Sequence, residues 1–206
     1  MFKRRCKIIF IAHGSTIYSE ENRISDKLDY PPLNESGYEE MEKICEFIKK
    51  RGLKLNGIYS SPALCCVQSA EIISEAIKKE VSVIPSLVNR KCGILSGLSF
   101  QQIEKKHPDL LEELHKNPLS FCPEGGEEVQ KFNERIKDIL SDLIKNNLDG
   151  RLIVVTHPSI IKSAIRNALS IPPEHQYKMH IKPASATQIS YFKDWASLVY
   201  SNYVPL

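Results

Sequence analysis

The sequence predicts an α/β fold in which helices cover both faces of a mostly parallel central sheet, giving a three-layer sandwich. Residues 8–11 and 152–156 are short, uninterrupted apolar segments, which is typical of strands that are buried on both faces. Segments whose apolar residues recur at helical spacing alternate with such strands along the chain. This alternation favours parallel strands that are joined by helical crossovers.

The first strand is followed by a polar stretch and then by a helix. Residues 17–34 contain few apolar residues and include Pro31 and Pro32, so we expect a loop there. Either Asn34 or Ser36 can cap a helix that runs to about residue 51, where a glycine follows. The residues expected on the buried face of this helix are Met41, Ile44, Cys45 and Ile48.

Two further strands flank a second helix. We expect strands at residues 57–60 and 81–84. Pro62 suits the first turn of a helix, because its missing N–H is one of the groups that a first turn leaves unpaired. That helix is predicted to extend to Lys79. The apolar face expected for it consists of Leu64, Val67, Ile72 and Ala76.

The second half of the chain completes the alternation. Residues 85–125 are expected to form two or three short helices among prolines and glycines. A long helix at 127–146 and a shorter one at 159–169 show helical spacing of apolar residues and flank the strand at 152–156. The segments 187–192 and 198–200 favour closing strands. No repeat or linker interrupts the pattern, so we expect one domain over residues 1–206.

Composition narrows the class of protein. The 206 residues are 42% hydrophobic and 26% charged, with a net charge of +3, which is typical of a globular domain with a sizeable core. Acidic and basic residues are interspersed, so we expect no nucleic-acid or membrane partner. None of the apolar runs approaches the roughly 20 residues of a membrane span. The six cysteines have no C-x-x-C spacing, which favours reduced thiols and a cytoplasmic location. A homodimer is possible.

Two of the apolar strands end on a histidine. The segment "IIFIAH" ends on His13 and "LIVVTH" ends on His157. Ligands of parallel sheets bind beyond the carboxyl ends of the strands, where loops and helix N-termini converge. Gly14 allows the backbone to approach a ligand closely, and the helix that begins near Ser159 offers unpaired N–H groups to an anion. The two histidines are therefore candidate site residues.

Motifs along nearly the whole chain resemble those of the histidine phosphatase superfamily, in its phosphoglycerate mutase-like branch. The segment "AHGST" is similar to the Arg-His-Gly-x-Thr signature of that family. Other segments that resemble family motifs in the same order are "PPLNESGYEE" at 31–40, "SSPALCCVQSA" at 60–70, "CGILSGLS" at 92–99, "GGEE" at 125–128 and "LIVVTHPSII" at 152–161.

The resemblance implies a mechanism. In the family the first histidine attacks a phosphoryl group and forms a phosphohistidine, while the second histidine and two arginines bind the phosphoryl oxygens and a carboxylate protonates the leaving group. Matched by position, His13 is the nucleophile, His157 is the second histidine, and Gly14 and Thr16 shape the loop. A phosphoryl transition state spreads negative charge over its oxygens, so fixed cationic donors stabilise it.

This chain departs from the family pattern at three positions that carry charge. Ala12 and Cys65 stand where the resemblance places the two arginines, and Asn89 stands where it places the acid. We therefore predict that ordinary phosphatase activity is weak or absent. Residues that can replace the lost groups are Arg23 and Arg90 for binding phosphate and Glu127 for donating a proton.

Three functional interpretations remain open at this point. The first is a protein that acts on or binds a small phosphomonoester without any cofactor. The second is a non-catalytic pseudophosphatase that serves as a binding or regulatory protein. The third is a metal site formed by His13, His157 and Cys65, because two histidines and a thiolate suit zinc.

Overall fold

The computed structural model describes residues 4–28 and 31–206 and contains a mixed six-stranded sheet. The strand order is β3-β2-β4-β1-β5-β6. Neighbouring strands from β3 to β1 pair in parallel, whereas β5 and β6 are antiparallel additions at one edge. The predicted α/β class is confirmed. The strands are β1 (Arg4–Ala12), β2 (Gly57–Ser60), β3 (Val81–Val83), β4 (Gly150–Thr156), β5 (Ala186–Phe192) and β6 (Ala196–Tyr203).

Helices cover both faces of this sheet. Asn34, one of the two predicted caps, accepts a hydrogen bond from the Gly37 N–H at the start of the second helix. None of the helices in the described ranges is long and apolar enough to cross a membrane. The α-helices are α1 (Ile17–Glu20), α2 (Glu35–Lys50), α3 (Leu64–Ile77), α4 (Phe100–Lys106), α5 (Pro108–Lys116), α6 (Val129–Asn146) and α7 (Pro158–Leu169).

The core consists of two main layers, one on each face of the sheet. Successive side chains of a strand point to opposite faces. Accordingly, Ile9 and Ile11 of β1 pack with α2 and α3, whereas Ile8 and Phe10 pack with α6 and α7. All four of these side chains are fully buried, which explains why the strand has no polar alternation. A third, smaller cluster lies beneath α4 and α5 and includes Leu95 and Phe121.

Helix α3 differs from its prediction in both its start and its buried face. It begins at Leu64, so that Pro62 lies before the helix rather than in its first turn. The predicted apolar face, Leu64, Val67, Ile72 and Ala76, is only partly buried. The fully buried positions are Cys65, Cys66, Ser69, Ala70 and Ile73. Most of these residues are small, and small side chains allow the helix to lie close to the sheet. The helix therefore turns its small residues inward and leaves the larger apolar residues partly exposed.

The predicted loop at 17–34 also contains one short helix. Thr16 accepts a hydrogen bond from the Ser19 N–H, and the Ser19 hydroxyl lies 2.8 Å from the Thr16 nitrogen, which completes a capping box at α1. The prediction missed this turn because its capping box uses serine in place of the usual Glu or Gln. Residues 29 and 30 of the predicted loop lie outside the described residues.

Candidate active site

The two strand-end histidines lie side by side. Strand β1 pairs in parallel with β4, and their last residues, Ala12 and Thr156, are in register. His13 and His157 directly follow them, and the centroids of their rings are 5.3 Å apart, with the ring planes nearly perpendicular. Both side chains are buried, with exposed fractions of 6% and 2%. The structure thus brings together the two residues on which the sequence analysis centred the site.

A hydrogen bond to the backbone orients the His13 ring. The Nδ1 atom of His13 lies 2.9 Å from the carbonyl oxygen of Gly14, so Nδ1 carries the hydrogen in this bond and Nε2 is the unprotonated nitrogen when the ring is neutral. Gly14 is itself fixed, because its N–H donates to Ser69 Oγ over 3.1 Å. A Cβ on Gly14 would lie 2.5 Å from the carbonyl oxygen of Gly37, so this close passage of α2 requires glycine.

The loop after His13 is tied to α2 by a carboxylate that the sequence analysis missed. Glu40 accepts hydrogen bonds from both the backbone N–H and the hydroxyl of Ser15, each at 2.8 Å. Glu40 also contributes to raising the pKa of His13, although less than other groups do. Its position within "SGYEE" on the exposed flank of a helix gave no signal, because the contact depends on the packing of α2 against the loop.

Two further groups that the sequence analysis did not identify contact His157. Its Nε2 atom lies 3.2 Å from the Ser61 hydroxyl and 3.7 Å from the Cys66 sulfur. Burial lowers the pKa of His157 to about 4, and the nearby His13 lowers it further, while Cys65 acts in the opposite direction. His157 is therefore a neutral imidazole near pH 7.

Cys65 lies directly behind the two histidines. It is the second residue of α3 and is only 2% exposed. Its sulfur and one ring nitrogen from each of His13 and His157 all lie within 4.8 Å of one another. A hydrogen bond from the Cys66 thiol, followed by the effect of His13, lowers the pKa of Cys65 to about 3 despite its burial. Burial opposes protonation of His13, but attraction and hydrogen bonding to Cys65 outweigh burial and raise its pKa.

Ala12 and Asn89, the other two positions predicted to depart from the family pattern, have structural partners. Ala12 is fully buried among the side chains packed on the α6 and α7 face, and its N–H donates to the Ser185 carbonyl over 3.0 Å. The Asn89 amide donates to the Ser25 carbonyl and accepts a hydrogen bond from the Ser159 hydroxyl. Asn89 therefore connects the loop after β1 to the start of α7.

Arg23 and Arg90 reach the same cavity as the histidines, but both guanidinium groups have partners. Arg23 forms an ion pair with Glu21 at 2.6 Å. Arg90 donates to the carbonyl oxygen of Glu127 over 2.9 Å and lies over the Phe121 ring. Either arginine would need to exchange or share these contacts in order to bind a phosphate.

Glu127 does not belong to the cavity wall in the described structure. Arg135 binds its carboxylate through two parallel hydrogen bonds of 2.9 and 2.7 Å. The same arginine also donates to the carbonyl oxygens of Ser86 and Val88, which anchors it to the loop after β3. To act as a proton donor, Glu127 would have to leave this ion pair.

The cavity has a polar floor and an apolar far wall. Its volume is about 430 Å³, and His13, Thr16 and His157 lie on its polar side. The apolar wall comes mainly from the cluster beneath α4 and α5, which gives room for a ligand with a hydrophobic group. The residues of that wall are Leu95, Ile103, Leu111, Leu114 and Phe121.

Fold and site together define an α/β protein with two adjacent histidines at the carboxyl ends of its central strands. Residues 8–203 match the family model of the histidine phosphatase superfamily (branch 1). The chain therefore belongs to that family. The predicted family is thereby confirmed.

Individual relatives are distant in sequence. A protein of Mycobacterium tuberculosis described as bifunctional is 28% identical over 196 residues, which cover 94% of this chain but 52% of that protein, so the chain spans about half the length of that relative. A metal-independent phosphoserine phosphatase of Arabidopsis thaliana is 28% identical over 76% of this chain and 66% of its own length. A mycobacterial glucosyl-3-phosphoglycerate phosphatase, solved with VO3, superposes with a TM-score of 0.83 at 22% identity, over 96% of this chain and 99% of its own, and thus shares the fold.

Proposed function

We propose that the cavity binds a small phosphomonoester and that any hydrolysis proceeds slowly, through His13. The observation that carries the proposal is that His13 and His157 line the cavity together, with the buried Cys65 sulfur within 4.8 Å of one ring nitrogen of each. The resemblance of the motifs places a second arginine where Cys65 stands. Phosphatases among the relatives support the ligand class.

The charges around the histidines disfavour fast turnover. A phosphoryl transition state needs donors aimed at its equatorial oxygens, and loss of one such donor costs about 3–4 kcal/mol of barrier height. Ala12 contributes no donor, and Cys65 contributes a negative charge next to His13. The remaining cationic side chains on the cavity wall, Arg23 and Arg90, already have partners.

The orientation of His13 suits a nucleophile. With Nδ1–H donating to the Gly14 carbonyl, the Nε2 lone pair of the neutral ring is available to attack phosphorus. The P–O bond to the leaving group then breaks, and the leaving alcohol must gain a proton. Water subsequently cleaves the phosphohistidine. Because Asn89 cannot donate an acidic proton and Glu127 is paired with Arg135, we expect leaving-group protonation to limit the rate.

A second candidate function is a pseudophosphatase that binds a ligand without any turnover. The observation that favours it is the buried Cys65 sulfur, which lies within 4.8 Å of one ring nitrogen of each histidine. The pKa of Cys65 is lowered, and a thiolate beside His13 would repel the incoming phosphoryl group and favour the protonated, non-nucleophilic imidazole. In that case, the protein would act through the ligand or partner that it binds.

The hydrolysis of p-nitrophenyl phosphate between pH 5 and 8 separates the two functions. We expect a kcat far below the enzyme median of about 10 s⁻¹, with full loss in His13→Ala. The matched control is His115→Ala, which changes an exposed histidine of α5 and should leave the rate unchanged. A rate that is the same in wild type, His13→Ala and a buffer blank would support the pseudophosphatase. A rate near the median that depends on His13 would contradict the charge argument.

A further inference from the structure

We propose that His13, Cys65 and His157 form a binding site for one zinc ion, with an open coordination position that faces the cavity. The sulfur and the two ring nitrogens lie within 4.8 Å of one another, and all three residues are buried. This trio arises from three separate elements of the chain, namely the end of β1, the start of α3 and the end of β4. The proposal does not require that the protein hydrolyse phosphate.

The distances among the donor atoms suit zinc after small side-chain rotations. In a tetrahedral site with bonds of about 2.0–2.3 Å, ligand atoms lie about 3.3–3.7 Å apart. Donor atoms already within 4.8 Å therefore need to move by only about 1 Å to share one ion. Imidazole nitrogen together with thiolate sulfur is a donor set that favours zinc over magnesium or calcium, which prefer oxygen.

Contacts around the ligands support the geometry. Histidines that bind metals usually donate their other ring N–H to a carbonyl or carboxylate, which fixes the ring and makes the bound nitrogen more basic. His13 has this arrangement, because Nδ1 lies 2.9 Å from the Gly14 carbonyl oxygen. The backbone behind the other ligand is also held, since the Ser69 hydroxyl bonds to the carbonyl of Cys65 over 2.7 Å and to the N–H of Gly14.

The arrangement of the trio leaves one side of the ion accessible. His13 and His157 line the cavity, whereas Cys65 is not part of its wall and lies behind them. Three protein ligands with a free fourth position is the pattern of zinc sites that bind water or a substrate, rather than of closed structural sites. An ion held from behind by Cys65 would therefore present its fourth position to a ligand in the cavity.

Zinc would also change the charge of the site. The resemblance indicates that two guanidinium groups are missing, and a zinc ion with one thiolate ligand leaves a net charge of about +1 at the same end of the cavity. This would make the cavity attractive to an oxygen of an anionic ligand. The consequence for phosphomonoesters rests on the proposed function, whereas the zinc site itself does not.

Titration of the metal-free protein with ZnCl2 against a chromophoric chelator tests the site, in buffer that contains a non-thiol reductant and no phosphate. We expect one equivalent to bind and the melting temperature to rise. Cys65→Ala, His13→Gln and His157→Gln should each weaken binding at least about 100-fold, since even outer contacts of metal ligands are worth about 10–100-fold. With Co²⁺ as the probe, the wild type should show thiolate-to-cobalt charge-transfer absorption that Cys65→Ala lacks.

The matched control is Cys45→Ala, which removes another buried thiol from the protein. Cys45 lies on α2, where its sulfur approaches the Ile72 carbonyl at 3.6 Å, and it does not belong to the trio. Zinc affinity should be unchanged in this variant. Equal affinity in Cys65→Ala and wild type, or an equal loss in Cys45→Ala, would overturn the proposal. If one ligand variant fails to fold by circular dichroism, the other two decide the result.

A second titration, with inorganic phosphate, distinguishes this proposal from the proposed function. Phosphate should bind at least tenfold more tightly to the zinc-loaded wild type than to the metal-free protein, and this gain should be absent in Cys65→Ala. Zinc binding that depends on the trio, with no phosphate binding to either the zinc-loaded or the metal-free protein, would support the metal site and contradict a phosphomonoester ligand. Tight phosphate binding without any zinc binding would contradict the metal site and support a phosphomonoester ligand.

Discussion

The sulfur of Cys66 lies 3.7 Å from the Nε2 atom of His157, on the side of the ring where the Ser61 hydroxyl also lies at 3.2 Å. The second histidine thus contacts two small side chains, Ser61 and Cys66. Burial is the main cause that lowers the pKa of His157. For His13, attraction and hydrogen bonding to Cys65 outweigh burial and raise the pKa.

The stability of the metal-free protein should depend on pH through His157. Its pKa is lowered to about 4 in the folded protein, against about 6.5 in an unfolded chain. Between these values the unfolded state binds the additional proton, so the stabilisation is complete above pH 6.5 and falls as the pH decreases toward 4. The expected loss is about 3 kcal/mol in the free energy of unfolding.

Urea unfolding at pH 7 and pH 4, for wild type and His157→Gln, measures this dependence. Wild type should lose about 3 kcal/mol more than the variant between the two pH values. NMR of the His157 ring in the folded protein should show a neutral imidazole at pH 6. An equal loss of stability in both proteins would mean that His157 is not the group responsible.

Glu40 should stabilise the loop that follows His13. Hydrogen bonds to a charged group contribute about 1.5–3 kcal/mol, and Glu40 accepts two from Ser15. We expect Glu40→Ala to lower the free energy of unfolding by about 2–3 kcal/mol. The control is Glu39→Ala at the neighbouring exposed position of α2, for which a change below about 0.5 kcal/mol is expected. Chemical denaturation followed by tryptophan fluorescence and circular dichroism compares the two, and similar values would count against the loop contact.

Restoring the family residues should increase hydrolysis. Ala12→Arg and Cys65→Arg would add the two donors, and Asn89→Glu would add the acid. Both arginines would enter fully packed positions, where overpacking costs about 1–3 kcal/mol, so the triple variant should melt at a lower temperature. Its hydrolysis of p-nitrophenyl phosphate should exceed that of wild type at least tenfold.

Adding His13→Ala to the triple variant is the control for this gain, and it should return the rate to background. If the triple variant folds, as judged by circular dichroism, and its rate does not increase, residues other than these three must also prevent hydrolysis. The pseudophosphatase would then be the better description of the protein.

Local patterns in the sequence were enough to predict the fold class and the edge of the sheet at which the site lies. Uninterrupted apolar segments that end on His13 and His157 are typical of strands in a sheet covered on both faces, and parallel strands present their carboxyl ends at one edge. Those inferences needed only local patterns. The ordered family motifs predict the departures at Ala12, Cys65 and Asn89 in the same way, because each match depends on neighbouring residues.

The tertiary structure alone decided which residues meet. The pairing of β1 with β4 crosses more than half of the chain, and nothing in either strand specifies its neighbour. Local apolar spacing also predicted the wrong buried face for α3, because small residues let that helix pack closely and turn Cys65 inward. Proximity of the Cys65 sulfur to two histidines is a property of this long-range packing. It depends on contacts among side chains of three segments that are far apart in the sequence, and a local sequence pattern does not show those contacts.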